Sequence, residues 1–249
     1  MPLTFKSTDR HHPIEFQGFA YEKRASDVSG GVWTVYDETR PQVWRVPLFD
    51  ELVPSLTVRA PRAGYVVPAA HAGWVAEKLR LHGVRYEVLP QSVRGFPVEE
   101  FKAEQASFRP KPYEGRTPVE LTGKWSPARS DLPAGSLFVP IAQPRTVPVL
   151  HLFEPMAPDS LAAWGFFNAS FERKEGMEDY VLEGEARRML QESPQLRADF
   201  TARLTDPEFA RSPEARLDFF YRRHPAYDER LDVVPVVKVD ASPLAEGAR

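Results

Sequence analysis

Proline stands at 25 of the 249 positions, about twice the usual frequency of roughly one in twenty, and its placement limits what this chain can fold into. Proline has no N–H to donate and a fixed φ, so it breaks helix interiors and central strands. Short strands and loops are therefore expected where prolines cluster, and helices only in the stretches that lack them. The remaining composition is that of an ordinary globular chain, with 42% hydrophobic and 27% charged residues. A formal charge of −3 gives no bulk attraction to nucleic acid, and no apolar run approaches the roughly 20 residues of a membrane-spanning helix. The first 13 residues are polar, without the apolar centre of a signal peptide, and read as an N-terminal linker. Cysteine is absent, which removes disulfides, thiolate metal ligands and cysteine nucleophiles together.

Residues 14–155 carry most of the proline, in short β-branched and aromatic runs. Val32 to Tyr36 alternates as a strand does, Asp37 to Pro41 supplies turn residues, and Val43 to Val46 reads as the partner strand. Ser55 to Arg59 alternates as well. Gly64 to Leu89 reads as strand, helix and strand: Tyr65 to Pro68, then Ala72, Val75, Leu79 and His82 at helical spacing, Gly83 as a left-handed cap, and Val84 to Leu89. This βαβ-like unit has no glycine-rich first turn, so a dinucleotide site is not expected in it. Phe101 to Phe108, Val119 to Trp125 and Ser136 to Ile141 are further strands.

The texture changes in residues 156–240. Asp159 or Ser160 can cap a helix bearing Leu161, Trp164, Phe167 and Phe171, and the helical pattern resumes from Tyr180 to about Gln191. Ser193-Pro194, Asp206-Pro207 and Ser212-Pro213 each place a polar cap before a proline at the first helical position, so three more short helices are predicted. Val233 to Val239 reads as a last strand that rejoins the sheet, and residues 241–249 as a frayed tail. The expected class is α+β: a proline-rich, mostly β first half with one βαβ-like unit, and a helical second half packed on it.

Several groupings could carry chemistry. His12-Pro13-Ile14-Glu15 has the H-x-x-E spacing of two zinc ligands, and His151 lies far enough downstream to be a third, which would make a catalytic zinc site with one open position. Against it, His12 stands near the start of the sequence with a proline inside the motif, and His151 is flanked by apolar residues as core histidines are. Asp27, Ser29 and His71 could be written as a triad, but Ser29-Gly30-Gly31 is no nucleophile elbow and reads as a tight turn. Glu172, Glu175 and Asp179 would share a helical face, yet without a neighbouring histidine they read as a solvated, salt-bridged surface. Arg222-Arg223-His224 closes a helix where cations meet the C-terminal dipole. Of Trp33, Trp44, Trp74, Trp125 and Trp164, most are expected in the core and one or two in a groove.

A resemblance runs along nearly the whole chain. Phe16-Gln17-Gly18-Phe19-Ala20-Tyr21, Ser29-Gly30, Tyr36-Asp37, Gln42 to Pro47, Gly64 to Ala70, Leu81 to Val84, Pro133 to Pro144, Leu152 to Pro155, Asp159 to Leu161, Trp164 to Asn168 and Phe219 to Pro225 occur in that order. Together they resemble the region downstream of the catalytic domain in bacterial zinc-carboxypeptidase-like proteins. The resemblance implies an exported, periplasmic or envelope protein and a peptidase domain, in cis or in trans, that holds zinc through two histidines and a glutamate. The resemblance implies a start downstream of that domain, so no catalytic residue is carried over and no cofactor is expected in this chain. The expected function is that of a non-catalytic accessory region that supports a peptidase domain or binds peptide or cell-wall substrate. The alternatives are a cryptic zinc metallocarboxypeptidase built on His12, Glu15 and His151, and a stand-alone binding module.

Overall fold

A computed structural model describes residues 1–173 and 176–244. The chain divides into two compact units, Met1–Ala60 and Pro61 onward. The units divide at 60/61, and the described residues on both sides of the change in texture at 155/156 belong to the second.

The first unit is made of two ladders. The segment read as a linker contains strand β1 (Pro2–Ser7), and β2 (His12–Ala25), β3 (Val32–Leu48) and β4 (Leu52–Thr57) follow. β1 pairs antiparallel with β4, and β2 with β3. The partner of the Val32 run is thus β2, and the Val43 run continues the same strand. The turn chemistry of Asp37 to Pro41 is spent on a bulge: Phe19 is opposite Pro41 and Ala20 opposite Asp37, leaving residues 38–40 over. Asp37 organises them, accepting from the Thr39 hydroxyl at 2.6 Å, the Thr39 N–H at 3.0 Å and Arg40 Nε at 2.6 Å. The Thr39 hydrogen bond, followed by that of Arg40, holds the Asp37 carboxyl below its ordinary range.

The second unit holds a six-stranded sheet. Its strands are β5 (Gly64–Val67), β6 (Glu87–Val88), β7 (Val93–Phe108), β8 (Val119–Leu132), β9 (Leu137–Pro140) and β10 (Val237–Val239), in the order β6-β9-β5-β10-β7-β8. Helix α1 (Ala69–Leu81) joins β5 to β6 and buries Val75 and Leu79. It ends as the sequence predicts: Gly83 has φ 64°, and the Val84 N–H closes back on the Leu79 carbonyl at 2.8 Å. β5 and β6 each pair antiparallel with β9, so they run parallel to one another with β9 between them. The chain's last strand, β10, enters the middle of the sheet between β5 and β7.

One sheet face packs Val66, Leu89, Phe96, Val98, Leu132, Phe138, Val237 and Val239 into a single cluster. The helices are α2 (Thr146–Phe153), α3 (Asp179–Glu192), α4 (Pro194–Arg203), α5 (Pro207–Arg211) and α6 (Pro213–Tyr221). The three Xaa-Pro signals hold in detail: Ser193, Asp206 and Ser212 accept from the N–H groups of Leu196, Glu208 and Ala215 at 3.2, 3.0 and 3.0 Å. Each such cap contributes about 1 kcal/mol. α3 and α6 bury Leu182, Ala186, Phe220 and Tyr221 against one another. The helix expected to start at Asp159 does not form. Ser160 caps one turn, Gly165 takes φ 77° and ends it, and only a short 3-10 turn follows at Asn168–Phe171. A side chain at Gly165 could not fit, since its Cβ would stand 2.3 Å from the Thr117 carbonyl oxygen. The result is α+β, with most strands in the first half.

Candidate functional site

The core of the second unit contains a charged network. Register places Tyr65, Lys238 and Glu99 side by side on β5, β10 and β7. Glu154, delivered by the C-terminal end of α2, receives Lys238 Nζ at 2.7 Å and the Tyr65 hydroxyl at 2.5 Å on one oxygen. Its other oxygen accepts from Trp125 Nε1 at 3.0 Å, and the Lys238 ammonium lies 4.3 Å from the Trp125 ring centroid. Lys238 and Glu154 are each only 3% exposed. Burial, reinforced by the Glu154 charge, pushes the Tyr65 hydroxyl far above its ordinary range, so it stays a donor. In a dry site these groups satisfy one another, and removing any partner leaves an uncompensated charge or donor. The network ties α2 to β5, β8 and β10.

That tie positions a cleft. The residues after Glu154 form one wall, through Met156 and Trp164, and the loop end of the β7–β8 hairpin forms the other, through Phe108, Tyr113 and Leu121. Its volume is about 670 Å³, within the range of small-ligand and peptide-side-chain sites. Tyr113 and Trp164 face each other at 6.0 Å between ring centroids. The Tyr113–Arg116 turn closes on itself through reciprocal backbone hydrogen bonds of 2.7 and 3.0 Å. It is clamped by a stack in which Arg116 lies 3.4 Å from the Phe166 centroid, whose other neighbour, Trp74, is parallel to it within 11° at 4.8 Å. Arg109, Glu120 and Asp159 supply charge around the cleft, and none of them makes an ion pair among the described residues. The arrangement can hold an apolar or aromatic side chain between rings and satisfy charge at the rim.

The residues singled out from sequence lie elsewhere. His12 is exposed at the start of β2, with Nδ1 3.6 Å from Asp50 Oδ1, and Glu15 is opposite Arg45. Three positions apart on a strand, His12 and Glu15 point to opposite faces, so the H-x-x-E spacing does not converge here. His151 is half-buried on α2, in the second unit. Ser29 belongs to the β2–β3 turn, where its hydroxyl accepts from the Gly31 N–H at 3.3 Å, and Asp27 stands in the same turn. His71, in the second unit, packs edge-on against Trp74 and Phe167, and burial holds its pKa below the ordinary 6.5. Glu172 follows the 3-10 turn and Asp179 begins α3, so no helix carries both; Glu175 lies outside the described residues. Arg222 pairs with Asp218 at 2.5 Å, Arg223 covers the Phe219 ring at 3.8 Å, and His224 Nε2 is 3.4 Å from Glu185. Among the described residues no group of three or more His, Asp or Glu is placed to hold a metal ion, and no helix is long and apolar enough to cross a membrane.

Sequence reasoning missed the buried network, although a lysine inside the apolar run Val236-Val237-Lys238-Val239 was a usable signal. It missed Tyr113 and Arg109 too, since nothing local links them to Trp164. No family model matches the chain, and neither a curated protein nor a solved structure matches it.

Proposed function

We propose that this chain is a non-catalytic accessory region that holds extended peptide for a peptidase-like domain, in cis or in trans. The observation that carries the reading is the cleft of about 670 Å³ between Tyr113 and Trp164, apolar inside with Arg109, Glu120 and Asp159 at its border. Aromatic side chains give contact area at little entropic cost, and a few charges orient the ligand. The resemblance to zinc-carboxypeptidase-like proteins supplies the proposed context, an exported or periplasmic one, with zinc in the partner domain.

The test is calorimetric titration of the chain with short blocked peptides, alongside a peptidase assay on the same sample. Saturable binding that weakens at least tenfold in Trp164→Ala, with no hydrolysis, supports the reading. Stoichiometric zinc with hydrolysis would instead favour the metallocarboxypeptidase alternative.

A second reading, as a binding module that docks another protein, rests on the β2–β3 hairpin. Phe16, Tyr21 and Tyr36 remain 53–55% exposed there while stacking about Trp44. Contiguous exposed aromatic surface of this kind marks interaction sites. Loss of partner capture in Tyr36→Glu, with peptide binding intact, would favour this reading over the first.

A further inference from the structure

We infer that the outer edge of β8, from Leu121 to Trp125, takes up an extended peptide as an added β-strand leading into the aromatic cleft. The inference rests on the peptide-binding reading above and specifies how the backbone of that peptide is recognised.

β8 is the last strand of its sheet, paired only with β7. In an antiparallel ladder, successive residues turn their N–H and C=O alternately inward and outward. Two hydrogen bonds fix which residues do which. Arg109 N–H, from the end of β7, donates to the Pro118 carbonyl at 2.9 Å, so Pro118 faces inward. Val119 N–H donates outward to the Ala163 carbonyl at 2.9 Å. The β8 side of the ladder has no bulge in this stretch, so Leu121, Gly123 and Trp125 also present their backbone groups outward. Pro127 is the next outward position, and it has no N–H to offer, which ends the usable edge.

The edge therefore begins where the loop from residue 163 stops covering it and ends at a proline. Leu121 belongs at once to this edge and to the cleft wall. Glu120, Thr122 and Lys124 hold their side chains exposed on the alternate face, and Lys124 is already paired with Glu104 at 3.1 Å. That leaves Glu120 and Asp159 to meet a cationic side chain of the added strand and Arg109 to meet an anionic one. Recognition by main-chain hydrogen bonds with one anchored side chain is a general mode of strand addition, tolerant of sequence and selective for extended backbone.

The experiment uses the full chain and three synthetic probes. The parent is a blocked octapeptide of alternating valine and threonine with one central phenylalanine, one lysine and one glutamate. The other two carry N-methyl groups on the odd or on the even residues. Calorimetry and backbone amide exchange are read together. The inference expects the parent to bind, one methylated set to bind at least tenfold more weakly, the other set to bind like the parent, and exchange at Leu121 and Gly123 to slow. Equal binding of all three peptides would overturn strand addition while leaving the cleft reading in place. No binding by the parent, with Leu121 and Gly123 exchange unchanged, would overturn both.

Discussion

The two long hairpins of this protein, β2–β3 in the first unit and β7–β8 in the second, use similar sequence material to opposite ends. In β2–β3 the large aromatics are outside: Phe16, Tyr21, Trp33 and Tyr36 are all more than half exposed, and in the whole of residues 1–60 only Leu3 and Val58 are buried hydrophobics. In β7–β8 Phe96, Val98 and Phe101 are buried, and Trp125 turns in to bind a carboxylate. A two-stranded ribbon has no second layer to bury its side chains against and is marginal alone. β2–β3 answers with ring-on-ring stacking around Trp44, whereas β7–β8 answers with a sheet and helices. One hairpin thus leaves its aromatic surface exposed, and the other buries its own in the frame of the cleft.

The largest expected effect breaks the second frame. Lys238→Met leaves Glu154 buried without its cation and should lower the unfolding free energy by about 3–5 kcal/mol. Adding Glu154→Leu to Lys238→Met should recover part of that loss, and a double-mutant cycle by denaturant titration measures the coupling. Independent, additive effects would mean that the network does not act as a unit.

A smaller effect breaks the first hairpin. The Trp44 indole lies over Gly18 so closely that a Cβ there would stand 2.8 Å from the ring. Gly18→Ala should displace the indole and loosen the stack with Phe16 and Tyr21, costing about 1–3 kcal/mol as other overpacking does. Near-ultraviolet circular dichroism would report the lost aromatic asymmetry. Retention of the wild-type spectrum would show that the ring has room to move.

Smaller again are the three helix caps. Ser193→Ala, Asp206→Ala and Ser212→Ala should each cost about 1 kcal/mol, additively, because they lie on separate helices. Thermal unfolding of the single and triple variants checks the sum.

The two units should also differ in acid. His71 has its pKa lowered by burial, so the unfolded chain takes up its proton first as pH falls below 6.5, and the second unit weakens from there toward the lower folded value. Asp37 has its pKa lowered by Thr39 and Arg40, so the bulge of the first unit keeps its full stabilisation above 3.8 and loses it as pH falls through the folded value. His71→Gln should remove the first of these responses and leave the second. Site-resolved amide exchange from pH 7 to well below 3.8 separates them.

Local physics made much of the fold legible. The three Xaa-Pro caps, the Gly83 stop and the alternating runs at Val32 and Val119 each state their structure within a few residues. What failed needed distant partners. Asp37 to Pro41 has the composition of a hairpin turn, and only the pairing of the earlier run at Phe19 and Ala20 makes it a bulge. Leu161 to Phe171 has helical spacing, but the backbone leaves the helix at Gly165, whose φ is 77° and where a Cβ would meet the Thr117 carbonyl oxygen. The cleft joins Tyr113 to Trp164 across a turn held by Arg116, a contact that spacing along the chain does not express. The sequence's own candidate ligands, His12 and Glu15, looked paired because the eye reads a spacing without knowing its period; on a strand that spacing separates them.

The most direct test of the account is an NMR titration of the isotope-labelled full chain with the parent octapeptide. The account predicts that the Trp164 indole N–H and the Leu121 and Gly123 amides shift together and saturate at one peptide per chain, while the Trp33 and Trp44 indoles stay in place. Shifts confined to the Trp33 and Trp44 indoles, or none at Trp164, would contradict it.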